Sequence, residues 1–129
     1  MKKLIALLGV SVFFLTGCGS SYESATNQGV TEFAKTVSDS SVVVLDVRTP
    51  AEFISGHLAN AINIDVEGVQ FKSDVAKLDK SKTYAVYCRS GRRSAIATDE
   101  MSKFGFKTLF NLEGGTGAWS AAGQTLVVN

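Results

Sequence analysis

The stretch YAVYCRSGRRSAIATDEMSKFG, residues 84–105, predicts a strand, a tight loop and a helix in direct succession. Residues 84–88 form a continuous apolar run of the kind that suits a strand buried on both faces. Residues 92–104 carry apolar side chains three and four positions apart, which is the spacing of an amphipathic helix. Ser90 and Gly91 supply the small residues that a turn between them requires. The stretch therefore indicates one strand–loop–helix unit of an α/β fold.

Three further apolar runs predict strands, and the segments between them have the apolar spacing of helices. We expect the strands at 42–47, 61–64 and 108–113, and the helices at 31–38, 50–55 and 66–78. Short β-branched strands that alternate with helices are typical of a parallel sheet covered on both faces. The sequence thus predicts an α/β protein whose central, mostly parallel sheet lies between two layers of helices.

The overall composition fits one globular domain and argues against a nucleic-acid-binding protein. The chain has 129 residues, of which 45% are hydrophobic and 19% charged, as is usual for a single soluble domain. Its formal net charge of +1 provides no broad basic surface for phosphate groups. We expect no nucleic-acid partner, and we expect a monomer.

The first 17 residues have the pattern of an export signal. MKK is followed by 13 uncharged residues, LIALLGVSVFFLT, a run too short to cross about 30 Å of hydrocarbon as a helix. The segment ends in Leu15-Thr16-Gly17-Cys18, which resembles the lipobox of bacterial lipoproteins. That resemblance implies a signal peptide over 1–17 and a lipid on Cys18. The protein would then be anchored at a bacterial membrane, facing the periplasm or at the cell surface.

Residues 18–29 are polar after the cysteine and contain few bulky apolar side chains. Such a composition is typical of a flexible linker. We therefore predict a lipidated cysteine and tether over 18–29, followed by one domain over 30–129.

Cys88 is the one cysteine left for chemistry if Cys18 carries lipid, because the sequence contains two cysteines. A small-residue turn followed by a helix N-terminus directs several backbone N–H groups toward one point, which favours an anion there. Such donors favour the thiolate form of a cysteine, and Arg89, Arg92 and Arg93 would add positive charge and attract an anionic substrate. Cys88 is therefore the predicted nucleophile.

Taken in order, the motifs of the chain resemble a single-domain rhodanese over about residues 28–123. They are Asp46-Val47-Arg48, Glu52-Phe53, Gly56-His57-Leu58, Ala61-Ile62-Asn63-Ile64, Cys88-Arg89-Ser90-Gly91-Arg92-Arg93, Leu112-Glu113-Gly114-Gly115 and Ala118-Trp119. Thr116 departs from the family pattern, which more often has an apolar residue after the paired glycines. The resemblance implies a rhodanese-like three-layer sandwich.

The same resemblance implies a sulfurtransferase that works through a persulfide on Cys88. The thiolate attacks the outer sulfur of thiosulfate or a similar sulfane donor and sulfite leaves, after which the sulfur passes to cyanide or a thiol. No cofactor is implied, and one free cysteine with one histidine cannot supply a zinc site. The loop that binds the anionic substrate then consists of Arg89, Ser90, Gly91, Arg92 and Arg93.

An acidic and basic pair near the first strong strand is expected to support the site rather than react. Asp46 and Arg48 lie one residue apart at a strand end, so both side chains point to the same side of the sheet. The resemblance implies that Arg48 braces the active-site region through carboxylates, and Glu52 is a candidate partner. Arg93, the last loop residue, is placed to fold back and brace the loop.

Two conspicuous single residues, His57 and Trp119, also need an interpretation. His57 is the only histidine, and we expect it to satisfy backbone groups, because a base is unnecessary once the loop has made the thiolate. Trp119 either lines the pocket, with Gly114 and Gly115 permitting close backbone approach, or lies in the core.

Two other functions are compatible with an anion-binding loop. A cysteine-dependent phosphatase or arsenate reductase shares the loop type but requires a cysteine, five residues and then an arginine, and the arginine position is Ser94 here. This shorter loop suits a sulfur atom better than a tetrahedral phosphate. A membrane-tethered sulfur relay or non-enzymatic sensing module would need only the fold.

Overall fold

Five parallel strands form the centre of the computed structural model, which describes residues 25–129. The strands are β1 (Thr26–Gln28), β2 (Val43–Asp46), β3 (Ile62–Asn63), β4 (Thr83–Tyr87) and β5 (Thr108–Leu112). The helices are α1 (Val30–Ser38), α2 (Pro50–Ser55), α3 (Phe71–Ala76), α4 (Arg92–Lys103) and α5 (Gly115–Ala121). The strand order is β1-β5-β4-β2-β3. The predicted α/β fold is confirmed.

The order of the strands puts β4 in the middle of the sheet, between β2 and β5. Leu45 of β2 is in register with Val86 of β4, and Val86 is in register with Asn111 of β5. Because all three strands are parallel, their carboxyl ends meet at one edge of the sheet, where α/β proteins bind ligands. The residue that follows β4 therefore lies at the centre of this edge.

Side chains alternate between the two faces of the sheet and bury a separate cluster on each. On one face, α3 and α4 contribute Phe71, Val75, Ala97 and Met101 to a cluster with strand residues that include Leu45 and Val86. On the other, Phe33 of α1 and Trp119 of α5 pack with residues that include Val44 and Ala85. The three-layer sandwich is confirmed.

Strand β1 corrects the predicted tether over 18–29. Residues 26–28 belong to the sheet and pair with β5 in the register Thr26 with Phe110 and Gln28 with Leu112. The strand reads Thr-Asn-Gln and two of its three side chains are exposed, so no apolar run announces it, as is common at a sheet edge. Residues 18–24, like the predicted signal peptide, lie outside the described residues.

Helix α3 is shorter than the predicted 66–78, and α5 was not predicted. The segment before α3 forms a turn instead, in which the Asp65 carboxylate accepts a hydrogen bond from the backbone N–H of Glu67 at 2.9 Å. Such side-chain capture of a backbone donor competes with helix formation. Helix α5 begins Gly-Thr-Gly, and glycine is a poor helix former. Between residues 25 and 129 no helix is both long and apolar enough to cross a bilayer.

Candidate active site

Cys88 directly follows β4, at the carboxyl edge of the sheet. The strand before it is buried, and Cys88 itself has no exposed surface. Its side chain belongs to the apolar cluster on the α4 side. The predicted nucleophile thus lies at the base of the loop that joins β4 to α4.

The loop from Cys88 to Arg93 folds back over the sulfur. Gly91 has φ of +95°, a left-handed conformation that glycine adopts without the steric cost of a side chain. In this conformation its backbone N–H donates to Cys88 Sγ at 3.1 Å. Ser94, in the first turn of α4, is fully buried, and its hydroxyl donates to the same sulfur at 3.4 Å.

These donors determine the acidity of the thiol. Burial on its own raises the pKa of Cys88, but hydrogen bonds from the Ser94 hydroxyl and from the backbone N–H groups of Ser94, Ser90 and Gly91 outweigh it, so the pKa of Cys88 lies below its ordinary value. This direction is the one expected of a thiolate-favouring loop. The donors are amides and the Ser94 hydroxyl, which the loop pattern does not predict, and none of the three predicted arginines is among them.

The Arg93 guanidinium forms an ion pair with the Glu52 carboxylate. Arg93 Nη1 and Nη2 donate to Glu52 Oε1 and Oε2, each at 2.9 Å. The Arg93 guanidinium lowers the pKa of Glu52 from its ordinary 4.5 to about 2, against the opposing effect of burial. Arg93 therefore braces the loop as predicted. The predicted partner of Glu52 was Arg48, and that pairing is wrong: the two elements carrying Glu52 and Arg93 meet in space although 41 residues separate them.

Arg48 instead pairs with Asp46, and both side chains are buried. Arg48 Nε and Nη2 reach the Asp46 carboxylate at 2.6–3.0 Å, and Nη2 also donates to the Gly56 carbonyl at 2.6 Å. The guanidinium lies 5.6 Å from the centre of the Tyr87 ring. The prediction that the pair points to one side of the sheet is confirmed, and its contacts tie β2 to the end of α2.

The other loop side chains, Arg89, Ser90 and Arg92, are exposed. Their positions on the loop leave both guanidinium groups in solvent at the edge of the sheet that carries Cys88. The backbone of Arg89 has a more definite role, because its carbonyl accepts from Gly117 N–H at 3.2 Å. In a trans peptide the next N–H points the opposite way, which directs the amide of Ser90 toward the sulfur.

The N-terminal turn of α5 contacts the backbone of the Cys88 loop. Thr116 N–H donates to the Cys88 carbonyl at 2.9 Å. A Cβ atom on Gly115 would lie 2.4 Å from the Cys88 carbonyl oxygen and from the Arg89 carbonyl carbon, so only glycine permits this approach. The close backbone approach predicted at the paired glycines is confirmed at Gly115. The backbone donor of Thr116 has no signature in the side-chain pattern and could not be predicted from it.

His57 and Trp119 are structural. His57 Nδ1 is 2.9 Å from the Phe53 carbonyl oxygen, and its ring stacks on Phe53 at a centroid distance of 3.9 Å. Trp119 is buried with Phe33 in the cluster on the α1 side, and its Nε1 donates to the Thr125 carbonyl at 3.1 Å. The structural interpretation of His57 is confirmed. Trp119 lies in the core, which is one of the two predicted positions for this side chain.

The chain matches proteins whose names describe sulfur transfer. The family model for the rhodanese-like domain matches residues 29–122. A putative mitochondrial thiosulfate sulfurtransferase of Schizosaccharomyces pombe is 32% identical, over 88% of this chain and 92% of that protein. The thiosulfate sulfurtransferase GlpE of Coxiella burnetii is 33% identical, over 68% of this chain and 80% of that protein.

A solved structure agrees with these relatives. The crystal structure of a rhodanese-related protein from Thermoplasma volcanium has a TM-score of 0.69 and 33% sequence identity, and covers 81% of this chain and 99% of that one. The family match spans the sheet edge, the Cys88 loop and the start of α5. The chain therefore belongs to the rhodanese-like domain family.

Proposed function

We propose that the protein transfers a sulfane sulfur from thiosulfate, or a similar anionic donor, to a thiol or cyanide through a persulfide on Cys88. The observation that carries this proposal is the ring of donors around Cys88 Sγ, with Gly91 N–H at 3.1 Å and the Ser94 hydroxyl at 3.4 Å. Donors fixed in advance around an atom stabilise the negative charge that forms there. The membership of the chain in a family of sulfurtransferases supports the same reaction class.

Two displacements make up the proposed reaction. The Cys88 thiolate attacks the outer sulfur of thiosulfate, an S–S bond forms, the S–S bond of thiosulfate breaks, and sulfite leaves with the bonding electron pair. The enzyme then carries Cys88–S–S⁻. A cyanide or thiolate attacks the outer sulfur, the new S–S bond breaks, and its electron pair returns to Cys88 as the thiolate. Charge is conserved in each step, and neither step needs a general base because the nucleophile is already ionised.

The loop also distinguishes this proposal from phosphate chemistry. Helix α4 begins at Arg92, so four residues after Cys88 the chain is already helical. Ser94 occupies the position where a cysteine-dependent phosphatase would need arginine, and its hydroxyl is directed at the sulfur. The small ring of donors therefore favours one sulfur atom over a tetrahedral phosphate.

The proposal is tested by intact mass. The full chain carrying Cys18→Ala, in which Cys88 is the only thiol, is expected to gain the mass of one sulfur atom after exposure to thiosulfate and to lose it on addition of cyanide, with thiocyanate formed. The variant that also carries Cys88→Ser is expected to gain nothing. Release of phosphate from an aryl phosphate, without any sulfur uptake, would support the phosphatase instead.

We further propose that the chain is exported and held at a membrane by lipid on Cys18. The support is the sequence of residues 1–18, in which a positive end and an uncharged run lead to Leu-Thr-Gly-Cys. Acyl chains stabilise membrane binding by about 0.8 kcal/mol per buried methylene, so a multiply acylated cysteine suffices for anchoring. The sulfur-transfer domain would then work at a bacterial membrane surface, facing the periplasm or outside the cell.

A further inference from the structure

Ser94 has one hydroxyl proton and two acceptors within reach. Its Oγ lies 3.4 Å from Cys88 Sγ and 3.2 Å from the Gly91 carbonyl oxygen. A serine hydroxyl donates one hydrogen bond at a time. The hydroxyl can therefore donate to the sulfur or to the carbonyl, and rotation about the Cβ–Oγ bond changes the acceptor.

Neither orientation leaves a buried group without a partner. The Gly91 carbonyl also accepts from the backbone N–H of Ala95 at 3.2 Å, so it stays satisfied when the hydroxyl turns to the sulfur. Cys88 Sγ keeps the Gly91 N–H at 3.1 Å when the hydroxyl turns away. Such a rearrangement is normally unfavourable because it leaves a buried polar group without a hydrogen bond. Here both acceptors keep a partner in either orientation.

We propose that Ser94 is a catalytic residue whose hydroxyl follows the charge on Cys88 Sγ during the sulfur-transfer cycle. This inference rests on the proposed function. With Cys88 as the thiolate, the hydroxyl donates to Sγ. In the persulfide Sγ is neutral and the charge is on the outer sulfur, so the hydroxyl turns to the Gly91 carbonyl. When the acceptor removes the outer sulfur, the electron pair returns to Sγ and the hydroxyl turns back.

This alternation has opposite consequences for the two halves of the cycle. In sulfur loading the Ser94 hydroxyl stabilises the attacking thiolate. This raises the fraction of Cys88 that is ionised, but it also makes the thiolate a weaker nucleophile. The second effect is about half as large as the first, because the nucleophilicity of a thiolate changes by only about half as much as its basicity. In discharge the Cys88 thiolate is the leaving group, and a stabilised thiolate leaves faster. Removal of the hydroxyl should therefore slow discharge at every pH but slow loading only where the thiol is largely protonated.

The test compares Ser94→Ala with Ser102→Ala in the full chain carrying Cys18→Ala. Ser102 is a matched control because it is also buried on α4 and donates to the carbonyl three residues before it, Asp99, at 2.8 Å. Loading by thiosulfate and discharge by cyanide are followed separately by rapid quench and intact mass, across a range of pH. Thermal unfolding reports whether each variant is folded.

For Ser94→Ala we expect discharge to be about tenfold slower at all pH values, because a hydrogen bond to a charged group is worth about that factor. Loading should fall only about threefold at low pH, because the more nucleophilic thiolate offsets about half of the tenfold loss of ionised thiol, and should rise by about the same factor at high pH. Ser102→Ala should match the parent in both steps. An equal fall in loading and discharge at every pH, or no change in either, would overturn the proposal.

A second measurement separates this proposal from the function on which it rests. Ultraviolet absorbance of the Cys88 thiolate, followed during a pH titration without any sulfur donor, should show a higher pKa in Ser94→Ala than in the parent and in Ser102→Ala. If the parent takes up no sulfur but the titration shows this shift, the proposed reaction fails and the contact of Ser94 with the thiolate stands. An unshifted pKa in Ser94→Ala removes Ser94 from the chemistry, whatever the parent does.

Discussion

Arg93 and Glu52 share two hydrogen bonds of 2.9 Å, one from each terminal nitrogen of the guanidinium to one carboxylate oxygen. The pair joins the first turn of α4 to the first turn of α2, so it fixes the end of the Cys88 loop against a neighbouring element. Thr49, the N-cap of α2, also contacts the acid, since its hydroxyl lies 3.2 Å from Glu52 Oε1 as a donor.

Replacement of Glu52 by glutamine should destabilise the protein by about 1 kcal/mol near neutral pH, since the pair is partly exposed to solvent. The folded-state pKa of Glu52 is about 2, below its ordinary 4.5, so the ionised carboxylate stabilises the fold. That contribution is complete above about pH 5 and is lost as the pH falls through 4.5 toward 2. Urea unfolding midpoints of the parent and Glu52→Gln should therefore converge as the pH approaches 2. Asp74→Asn, which removes the exposed contact with Lys77 at 3.7 Å, should show little difference at any pH.

Gly115→Ala should abolish sulfur transfer and destabilise the fold by about 3 kcal/mol or more, from overpacking plus the cost of a left-handed residue. The new Cβ would meet backbone atoms of Cys88 and Arg89 that cannot move aside without changing the loop. Gly123→Ala is the control, because Gly123 also has positive φ, +81°, but open space around it. It should cost only about 1–2 kcal/mol and leave turnover unchanged. Similar behaviour of the two variants would mean that backbone conformation, and not contact with the loop, explains Gly115.

Arg92→Ala should raise the KM for thiosulfate several-fold at low ionic strength and change the use of a neutral sulfane donor little. The Arg92 side chain is exposed on the loop, so its charge acts through solvent and should be screened as salt is added. Lys107→Ala is the control, because it removes the same charge from an exposed side chain just before β5, at the amino ends of the strands. It should have no such effect. Equal losses for anionic and neutral donors would exclude Arg92 from the substrate site.

Arg48→Met should destabilise the protein by about 3–5 kcal/mol, because it leaves a buried carboxylate without its partner. Asp46 has no exposed surface, and the Arg48 side chain makes three contacts with its carboxylate that the variant removes. The double change Asp46→Leu with Arg48→Met should recover part of the loss in urea unfolding. Turnover per folded molecule of Asp46→Asn should stay within a few-fold of the parent, and a much larger fall would indicate that Asp46 takes part in the chemistry.

If Cys18 carries lipid as proposed, Cys18→Ala in a protein expressed in bacteria should move it from the membrane fraction to the soluble fraction or leave an uncleaved precursor. Lipid on the cysteine would be the sole anchor in that view, and the parent should incorporate a labelled fatty acid that the variant does not. Cys88→Ala serves as the control and should remain with the membrane. A variant that stays in the membrane fraction at its mature size would contradict anchoring through Cys18.

The elements with strong apolar periodicity could be predicted from the sequence, and those made of polar or glycine residues could not. Strand β4 and helix α4 have the apolar runs and spacings of buried elements, and together they locate Cys88 at the sheet edge. Strand β1 consists of Thr-Asn-Gln, and α5 begins with glycine. Both exist because of what they pair with in the folded chain, which local propensity does not record.

The site follows the same division. Cys88 and Gly91 could be recognised because a strand end, a small-residue turn and a helix start are all local features. The contact between Glu52 and Arg93 joins positions 41 residues apart, so spacing along the chain carries no sign of it and favours the nearer cation, Arg48. In the sequence, Ser94 stands out only because a phosphatase loop would have arginine at that position. Its position in the first turn of α4 places its hydroxyl next to the sulfur only in the folded chain.

The backbone clasp of α5 on the Cys88 loop also sets an order of events during synthesis. Residues 88–93 leave the ribosome before Thr116 and Gly117, whose amides donate to the carbonyls of Cys88 and Arg89. Until that C-terminal helix has emerged and docked, the carbonyls of Cys88 and Arg89 lack these two donors. The direction of the Ser90 amide therefore depends on the docking of α5, whereas the contacts of Gly91 and Ser94 with the sulfur belong to the β4–α4 unit.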